Sequence, residues 1–206
     1  MNTDIKTMIT RSLIENAYTY GEYSDLVAKL YAENRTTNDE NEADMLDYTK
    51  MNMQRSGRWD KRGEINSELT KILSNYPRKI TWLVLTEGWC GDAAQSLPFL
   101  NKMTEISSNI ELKLILRDEH PEVMDAYLTN GKSRSIPKLI ALDTETLEEI
   151  GTWGPRPMAI QTLFEEMMAN PANDTEDIKK DIHLWYARDK GVSIQNEFLD
   201  LLLDWR

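Results

Sequence analysis

The segment Thr81–Ala93 constrains the fold more than any other part of the chain. It begins with an apolar run rich in β-forming residues, passes through a turn at 88–91 (GWCG) and continues into an alanine-containing segment. This order predicts a strand, a tight loop and a helix. Cys90 would then lie at a helix N-terminus, where free N–H groups and the helix dipole favour a thiolate. Cys90 is therefore a candidate nucleophile, and the alternative is a small buried hydrophobic residue.

Charge and cysteine content exclude several classes of function. The 206 residues carry a formal net charge of −11, which disfavours sequence-independent binding to nucleic acid or to anionic lipid. One cysteine cannot form an internal disulfide, so it allows a mixed disulfide, an intermolecular bridge or a free thiol. Residues 1–6 lack the features of a secretory signal, and no apolar run approaches the ~20 residues that span a bilayer. We expect a cytoplasmic protein.

The first 77 residues predict a helical N-terminal extension. Apolar residues recur at helical spacing, and Thr37 with Glu40 fits a capping box. The expected helices are one that stops at Gly21, one over 23–34, one from the capping box to about Gly57, and one that ends at Tyr76 before Pro77.

From Ile80 the pattern changes to alternating strands and helices. We predict strands at 80–86, 110–117, 137–142 and 147–151, and helices at 92–107, 121–129 and 157–170. The order β-α-β-α-β-β-α indicates an α/β unit with a parallel first pair of strands and a terminal hairpin. The segment 171–206 predicts a helical C-terminal extension that is hinged at Gly191 and packs on the core.

With this order, the chain resembles the thioredoxin superfamily. Residues 89–93 (WCGDA) stand where that family has Trp-Cys-Gly-Pro-Cys, and Pro98 matches its helix-kinking proline. Residues 135–137 (SIP) stand where the family has a cis-proline, and Gly151 lies near its hairpin glycine. The resemblance covers about residues 78–170. It implies a thioredoxin-like α/β fold, a four-stranded mixed sheet flanked by helices, with helical extensions at both ends.

Two further segments narrow the resemblance. Residues 134–140 (RSIPKLI) and 153–157 (WGPRP) look like a bacterial branch of thioredoxin-like proteins with a helical N-terminal extension. In this branch the active-site motif would read Cys-Gly-Asp-Ala.

Two departures from the family pattern decide the chemistry that the resemblance implies. Ala93 replaces the second cysteine, and Val84 stands where thioredoxins often have a buried aspartate. The dithiol mechanism is therefore excluded. A monothiol mechanism remains, in which Cys90 attacks a disulfide and an external thiol resolves the mixed disulfide.

The resemblance also implies residues that contact the substrate. Gly91 allows close approach. Asp92 could cap the helix, although its charge disfavours a nearby thiolate. Arg156, in the loop after the hairpin, could offset Asp92, bind a substrate carboxylate or form an ion pair elsewhere on the surface. The complete predicted set around Cys90 is Trp89, Gly91, Asp92, Ile136, Pro137 and Arg156.

Two functions stay open at this point. One is a monothiol thiol–disulfide oxidoreductase that acts on a disulfide-containing protein or a small thiol, with a low-molecular-weight thiol as co-substrate and no other cofactor. The other is a redox-inactive binding or scaffold module. A peroxiredoxin-type peroxidase fits poorly because Glu87 stands where those enzymes have Thr. A glutathione transferase fits poorly because its helical domain follows the thioredoxin-like part.

The two histidines give little further indication of function. A metal site has no support from one cysteine and two histidines that are distant in sequence, His120 and His183. His120 could act as a base, and the alternative is an exposed capping or loop histidine.

Overall fold

The computed structural model describes residues 8–37 and 43–206. Most of the capping box predicted at 37–40 therefore lies outside the described residues. In the described ranges, four helices precede the first strand: α1 (Arg11–Asn16), α2 (Tyr20–Ala32), α3 (Ala43–Arg62) and α4 (Ser67–Ser74).

Two predicted helix ends in this region are wrong. Gly21 lies inside α2, because α1 already ends where Tyr18 pairs with Leu114 by two backbone hydrogen bonds of 2.9 and 2.8 Å. Gly57 lies inside α3, which continues so that Trp59 can pack against Phe99 with ring centroids 5.4 Å apart. In both places a tertiary contact outweighs the weak local preference of glycine against helix.

Four strands form one mixed sheet in the order β2-β1-β3-β4. They are β1 (Ile80–Thr86), β2 (Ile110–Leu116), β3 (Lys138–Asp143) and β4 (Glu149–Trp153). β1 pairs with β2 in parallel and with β3 antiparallel, and β3 pairs with β4 antiparallel. This confirms the predicted thioredoxin-like α/β fold, with its parallel first pair and terminal hairpin. Every residue of the central strand β1 is buried, which explains its continuous apolar run.

Five helices follow β1 in the described part of the chain. They are α5 (Gly91–Ile106), α6 (Pro121–Ala126), α7 (Met158–Ala169), α8 (Thr175–Asp189) and α9 (Val192–Asp204). The hinge between α8 and α9 consists of Lys190 and Gly191, both in the left-handed region with φ of 55° and 80°. No helix in the described ranges is long and apolar enough to cross a membrane.

The last two helices pack on different parts of the molecule. α9 inserts Phe198 between Trp82 of β1 and Trp153 of β4, with ring centroids 5.0 and 5.5 Å apart. A Cβ atom at Gly151 would collide with the indole of Trp205, so β4 needs a glycine there. α8 packs instead on α7 in a second, smaller apolar cluster. That cluster consists of Ile160, Ile178, Ile182 and Tyr186, and it places one face of α8 beside the loop that contains Cys90.

Candidate active site

Cys90 lies at the N-terminus of α5, as the strand–loop–helix pattern predicted, and it is the N-cap residue of that helix. Its Sγ accepts a hydrogen bond from Ala93 N at 3.4 Å, and its own N–H donates to Glu87 O at 3.0 Å. The backbone of Cys90 is extended, with φ −79° and ψ 114°. Cys90 therefore caps the helix, and Asp92 lies in the first turn. The suggestion that Asp92 is the cap is wrong, because the sulfur already accepts the free N–H.

The loop before β3 forms the second wall of the site. The Ile136–Pro137 peptide bond is cis, and the Cys90 thiol donates a hydrogen bond to Ile136 O at 3.2 Å. Gly154 has a φ of 110°, and a Cβ atom there would collide with the backbone carbonyl of Pro137. This close approach seats the loop that carries Arg156 against the proline. Ile136 and Pro137 on one side, and Arg156 on the other, are thus brought to Cys90 from two distant parts of the sequence.

Asp92 and Arg156 form a largely buried ion pair. The Arg156 Nη2 and Nε atoms lie 2.6 and 3.1 Å from Asp92 Oδ2, and each side chain is 13% exposed. The second carboxylate oxygen accepts a hydrogen bond of 2.8 Å from the Tyr186 hydroxyl of α8. Of the roles considered for Arg156, the structure shows the one in which it offsets Asp92.

The Cys90 thiol is held in its protonated form. It is 8% exposed, and burial raises its pKa to about 12, with the Asp92 charge as the second cause. The N–H groups of Ala93 and Asp92 and the Arg156 charge lower the pKa by less. The expected thiolate at the helix N-terminus is therefore not favoured in this arrangement. A helix dipole contributes roughly 0.3–1 kcal/mol, less than one pKa unit, so burial outweighs it.

His183 of α8 lies in the site, although it is 93 residues away from Cys90 in the sequence. A Cβ atom at Gly91 would be 2.5 Å from His183 Cε1, so Gly91 is needed for this contact. Burial, followed by the charge of Arg55, lowers the pKa of His183 to about 4. The imidazole is therefore neutral at neutral pH.

Sequence reasoning missed three residues that the helical extensions bring to the site: Arg55 of α3, and His183 and Tyr186 of α8. One signal was available. Lys179, Ile182, His183 and Tyr186 recur at helical spacing and therefore share one face of α8. Titratable side chains on the same helix face as buried apolar residues indicate that this face packs against polar groups of another element. Arg55 belongs to a basic cluster of α3 that either a solvated surface or an anion site would explain, and the sequence gives no reason to select it from Arg58, Lys61 and Arg62.

The remaining candidates lie as follows. Trp89 packs its ring under the Arg117 guanidinium at 4.7 Å, and its indole Nε1 is buried with no hydrogen-bond partner in the described residues. His120 directly precedes α6 and is partly exposed, and its Nδ1 lies 3.6 Å from Glu122 Oε1. This position favours a capping or loop histidine over a catalytic base. Within the described part of the chain, no group of three or more His, Cys, Asp or Glu side chains could hold a metal ion.

Two cavities meet at Cys90. A groove of about 310 Å³ lies between α3, α8 and the cysteine loop. A smaller inner cavity of about 160 Å³ lies between α2, α3 and the start of α5. The groove is lined by Met45, Tyr48, Arg55, Trp89, Cys90, Gly91, Asp92, Arg156, Phe164, Lys179, Ile182 and His183.

Comparison with known proteins identifies the family. The family model described as Thioredoxin matches residues 38–169, more than half of the chain. The chain belongs to the thioredoxin family. The match begins before β1, so it includes α3 and α4.

Two solved structures share the thioredoxin-family fold of this chain. One is a protein of unknown function from Pseudomonas aeruginosa, 20% identical, with a TM-score of 0.55; the match covers 91% of this chain and 96% of that one. The other is an HIV epitope scaffold, also 20% identical, with a TM-score of 0.53; it covers 90% of this chain and 98% of that one. No curated protein matches the chain.

This thioredoxin-family chain carries a buried carboxyl group at a position that sequence reasoning had not considered for this role. Val84, on β1, is fully buried as expected for an apolar residue. Glu87, immediately after β1, is fully buried as well. Its carboxyl group accepts hydrogen bonds from the Thr37 hydroxyl and from Asp118 N, the latter at 3.0 Å. Burial raises the pKa of Glu87 to about 7.

Proposed function

We propose that this thioredoxin-family protein is a monothiol thiol–disulfide oxidoreductase that acts through Cys90. The observation that carries the proposal is the position of its Sγ. The sulfur caps α5 and lies 3.2 Å from Ile136 O, directly before the cis Pro137, and it lines a groove that is wide enough for a small molecule. Trp89, Gly91, Asp92, Ile136, Pro137 and Arg156 are inferred to contact the substrate.

The reaction has two exchange steps. Cys90 loses its proton to solvent, and the thiolate attacks one sulfur of a disulfide; the S–S bond breaks, and the other sulfur leaves as a thiol after taking up a proton. Cys90 is oxidised to a mixed disulfide. An external low-molecular-weight thiol then attacks this bond, restores the Cys90 thiol and leaves as the new disulfide. Such thiols are abundant in the reducing cytoplasm, which is where we place the reaction, in a cell of bacterial type.

The covered thiol makes this exchange slow until the site opens. A pKa of about 12 leaves few thiolates at neutral pH, and His183 occupies the space beside Gly91 through which a substrate would approach. A substrate must therefore displace the α8 side chains before its sulfur reaches Cys90. We expect the rate of adduct formation to rise with pH through the alkaline range.

Incubation with oxidised glutathione, followed by intact-mass spectrometry, tests the proposal. One stable adduct should form per chain, at Cys90, and added thiol should remove it. Ala93→Cys should make the adduct transient and leave an internal disulfide, because it supplies the resolving thiol. The control Cys90→Ser should form no adduct. Modification of Cys90 only after denaturation would overturn the proposal.

One observation favours a second candidate, a redox-inactive binding module. The buried Cys90 thiol is already satisfied as a donor to Ile136 O, which is the arrangement of a structural cysteine. In that case Cys90→Ala would leave partner binding intact, and the folded protein would resist oxidised glutathione at all pH values that preserve the fold.

A further inference from the structure

The groove beside Cys90 is positively charged, although the protein is strongly acidic overall. Among the described residues that line it, three are cationic, Arg55, Arg156 and Lys179, and one is a carboxylate, Asp92. Its walls also carry Tyr48, Trp89 and Phe164. A concave site with aromatic walls and a few placed charges is typical of small-molecule binding. In a protein of net charge −11, such a local reversal of sign indicates an anionic ligand.

Of the cations that line this groove in the described part of the chain, Arg55 is the one left for a ligand. Arg156 is neutralised by Asp92, and Lys179 is paired with Glu176, with Lys179 Nζ 2.7 Å from Glu176 Oε1. No carboxylate of the described residues lies within 4 Å of the Arg55 guanidinium, whose Nη1 donates only to the amide oxygen of Asn52, at 2.7 Å. Arg55 is also half-buried, so its charge is not simply solvated at the surface. The charge of Asp92 acts on Arg55 from beyond contact distance. A partly desolvated guanidinium that no carboxylate of the described residues contacts is a site for a carboxylate.

The position of Arg55 sets the size of the ligand. Its Nη1 lies 3.6 Å from the point where a Cβ atom of Gly91 would be, adjacent to Cys90. A ligand that reaches the Cys90 sulfur can therefore place a carboxylate on Arg55 only if the two groups are a few bonds apart. A long peptide is not required, and a groove of about 310 Å³ matches a small molecule.

We propose that the groove binds a small thiol, or its disulfide, that carries a carboxylate, with the carboxylate on Arg55 and the sulfur at Cys90. The identity of the reacting sulfur rests on the function proposed above, whereas the carboxylate contact does not. The ligand forms a charge-assisted hydrogen-bonded pair with the guanidinium, and it displaces His183 from its contact with Gly91.

A series of small symmetrical disulfides tests the charge preference. Dithiodipropionate is an anion, 2-hydroxyethyl disulfide is neutral and cystamine is a cation. Their leaving thiols differ in pKa, so each rate at Cys90 is divided by the rate of the same disulfide with a free small thiol, and these normalised rates are compared. The adduct at Cys90 should form fastest with the anion and slowest with the cation. Arg55→Gln should slow the reaction with the anion by about tenfold, the value expected for one charge-assisted hydrogen bond, and leave the neutral disulfide within about twofold. Arg55→Lys should restore part of the rate, and Lys50→Gln, an exposed cation of the same helix, should change nothing.

A binding measurement separates this inference from the redox proposal. Calorimetry on Cys90→Ser should detect binding of 3-mercaptopropionate and a loss of it in the double variant Cys90→Ser/Arg55→Gln, while 2-mercaptoethanol should bind neither. If no disulfide reacts with the wild type but this binding is found, the redox proposal fails and the carboxylate site stands. If all three disulfides react equally, or if 3-mercaptopropionate binding does not depend on Arg55, the carboxylate site is overturned.

Discussion

The groove and the inner cavity meet at the same cysteine but differ in charge. The described lining of the groove contains the cations Arg55, Arg156 and Lys179, the carboxylate of Asp92, which is paired with Arg156, and a neutral His183. The inner cavity is lined by the acids Asp60 and Glu87, and in the described part of the chain none of its lining residues is Lys, Arg or His. Burial raises the pKa of both acids. The same sulfur thus faces a wall that attracts anions and a wall that disfavours them.

This difference shows how the helical extensions modify a thioredoxin-family site. α3 contributes to both cavities, with Arg55 in the groove and Asp60 in the inner cavity, and α8 closes only the groove. An anionic substrate would therefore reach Cys90 from the α8 side. The predictions below test each wall separately, through the pH dependence of stability and through the reactivity of the thiol.

The largest expected effect lies on the inner-cavity side, in Glu87→Gln. The folded-state pKa of Glu87 is raised to about 7, so the folded protein holds its proton more tightly than the unfolded chain. Wild-type stability should therefore fall as pH rises from about 4.5 to 7, by roughly 3 kcal/mol if Glu87 acts alone. Gln stays neutral; its Oε1 can accept from Asp118 N, while its Nε2 donates to the Thr37 hydroxyl, so that this second bond reverses direction. The variant should therefore lose this fall in stability and be more stable at neutral pH. Urea denaturation at a series of pH values measures it.

Glu119→Gln is the matched control, because Glu119 is exposed and directly follows Asp118, whose N–H donates to the Glu87 carboxyl group. This control variant should show the same dependence of the free energy of unfolding on pH as the wild type. A Glu87→Gln variant with the wild-type slope would show that Glu87 is ionised in the folded protein.

The second effect lies on the groove side and has the opposite sign. The folded-state pKa of His183 is lowered to about 4, so the unfolded chain binds the proton more tightly. The contribution of the neutral His183 to the free energy of unfolding is present at neutral pH and is lost as pH falls from about 6.5 to 4. Because His183 is only partly buried, we expect roughly 2 kcal/mol. His183→Gln should remove this loss of stability. Between about pH 4.5 and 6.5, the free energy of unfolding of the variant should then change only through the titration of Glu87.

His120→Gln, at the start of α6 and outside the groove, is the control for this variant. If His183→Gln and His120→Gln change the acid side of the stability profile equally, the groove does not disfavour a charged imidazole.

The third effect concerns the thiol between the two walls. Asp92 is the second cause of the raised Cys90 pKa, and Arg156 opposes it. Asp92→Asn removes the anion and leaves the Arg156 charge uncompensated, so the pKa should fall by about one unit and alkylation at a fixed pH should become about tenfold faster. The rate of iodoacetamide labelling against pH measures it, with circular dichroism to verify the fold, because a largely buried ion pair is lost.

Asp204→Asn serves as the control, since Asp204 is exposed near the end of α9. An unchanged alkylation rate in Asp92→Asn would mean that burial alone holds the thiol protonated. The charges that line the groove would then have no effect on the pKa of Cys90.

The sequence alone determined the frame of the site. The apolar run 80–86, the turn 88–91 and the following helix are local patterns, and they correctly predicted the bounds of β1 and the position of Cys90 at a helix N-terminus. Periodicity also predicted the order of strands and helices, because each pattern depends on residues within one or two turns of each other. Helix ends at Gly21 and Gly57 failed because contacts of Tyr18 and Trp59 with distant elements override a weak local preference.

Only the tertiary structure decided the state of the cysteine and the charge of its surroundings. The helix N-terminus favours a thiolate, but burial and Asp92 raise the Cys90 pKa to about 12. The groove depends on Arg55 and His183, which come from opposite ends of the chain and meet at Gly91. Desolvation and Coulomb energy depend on which atoms lie within a few ångströms, whatever their separation in sequence. For that reason a local motif could identify Cys90, whereas its protonation and its access to ligand follow from how α3 and α8 pack around it.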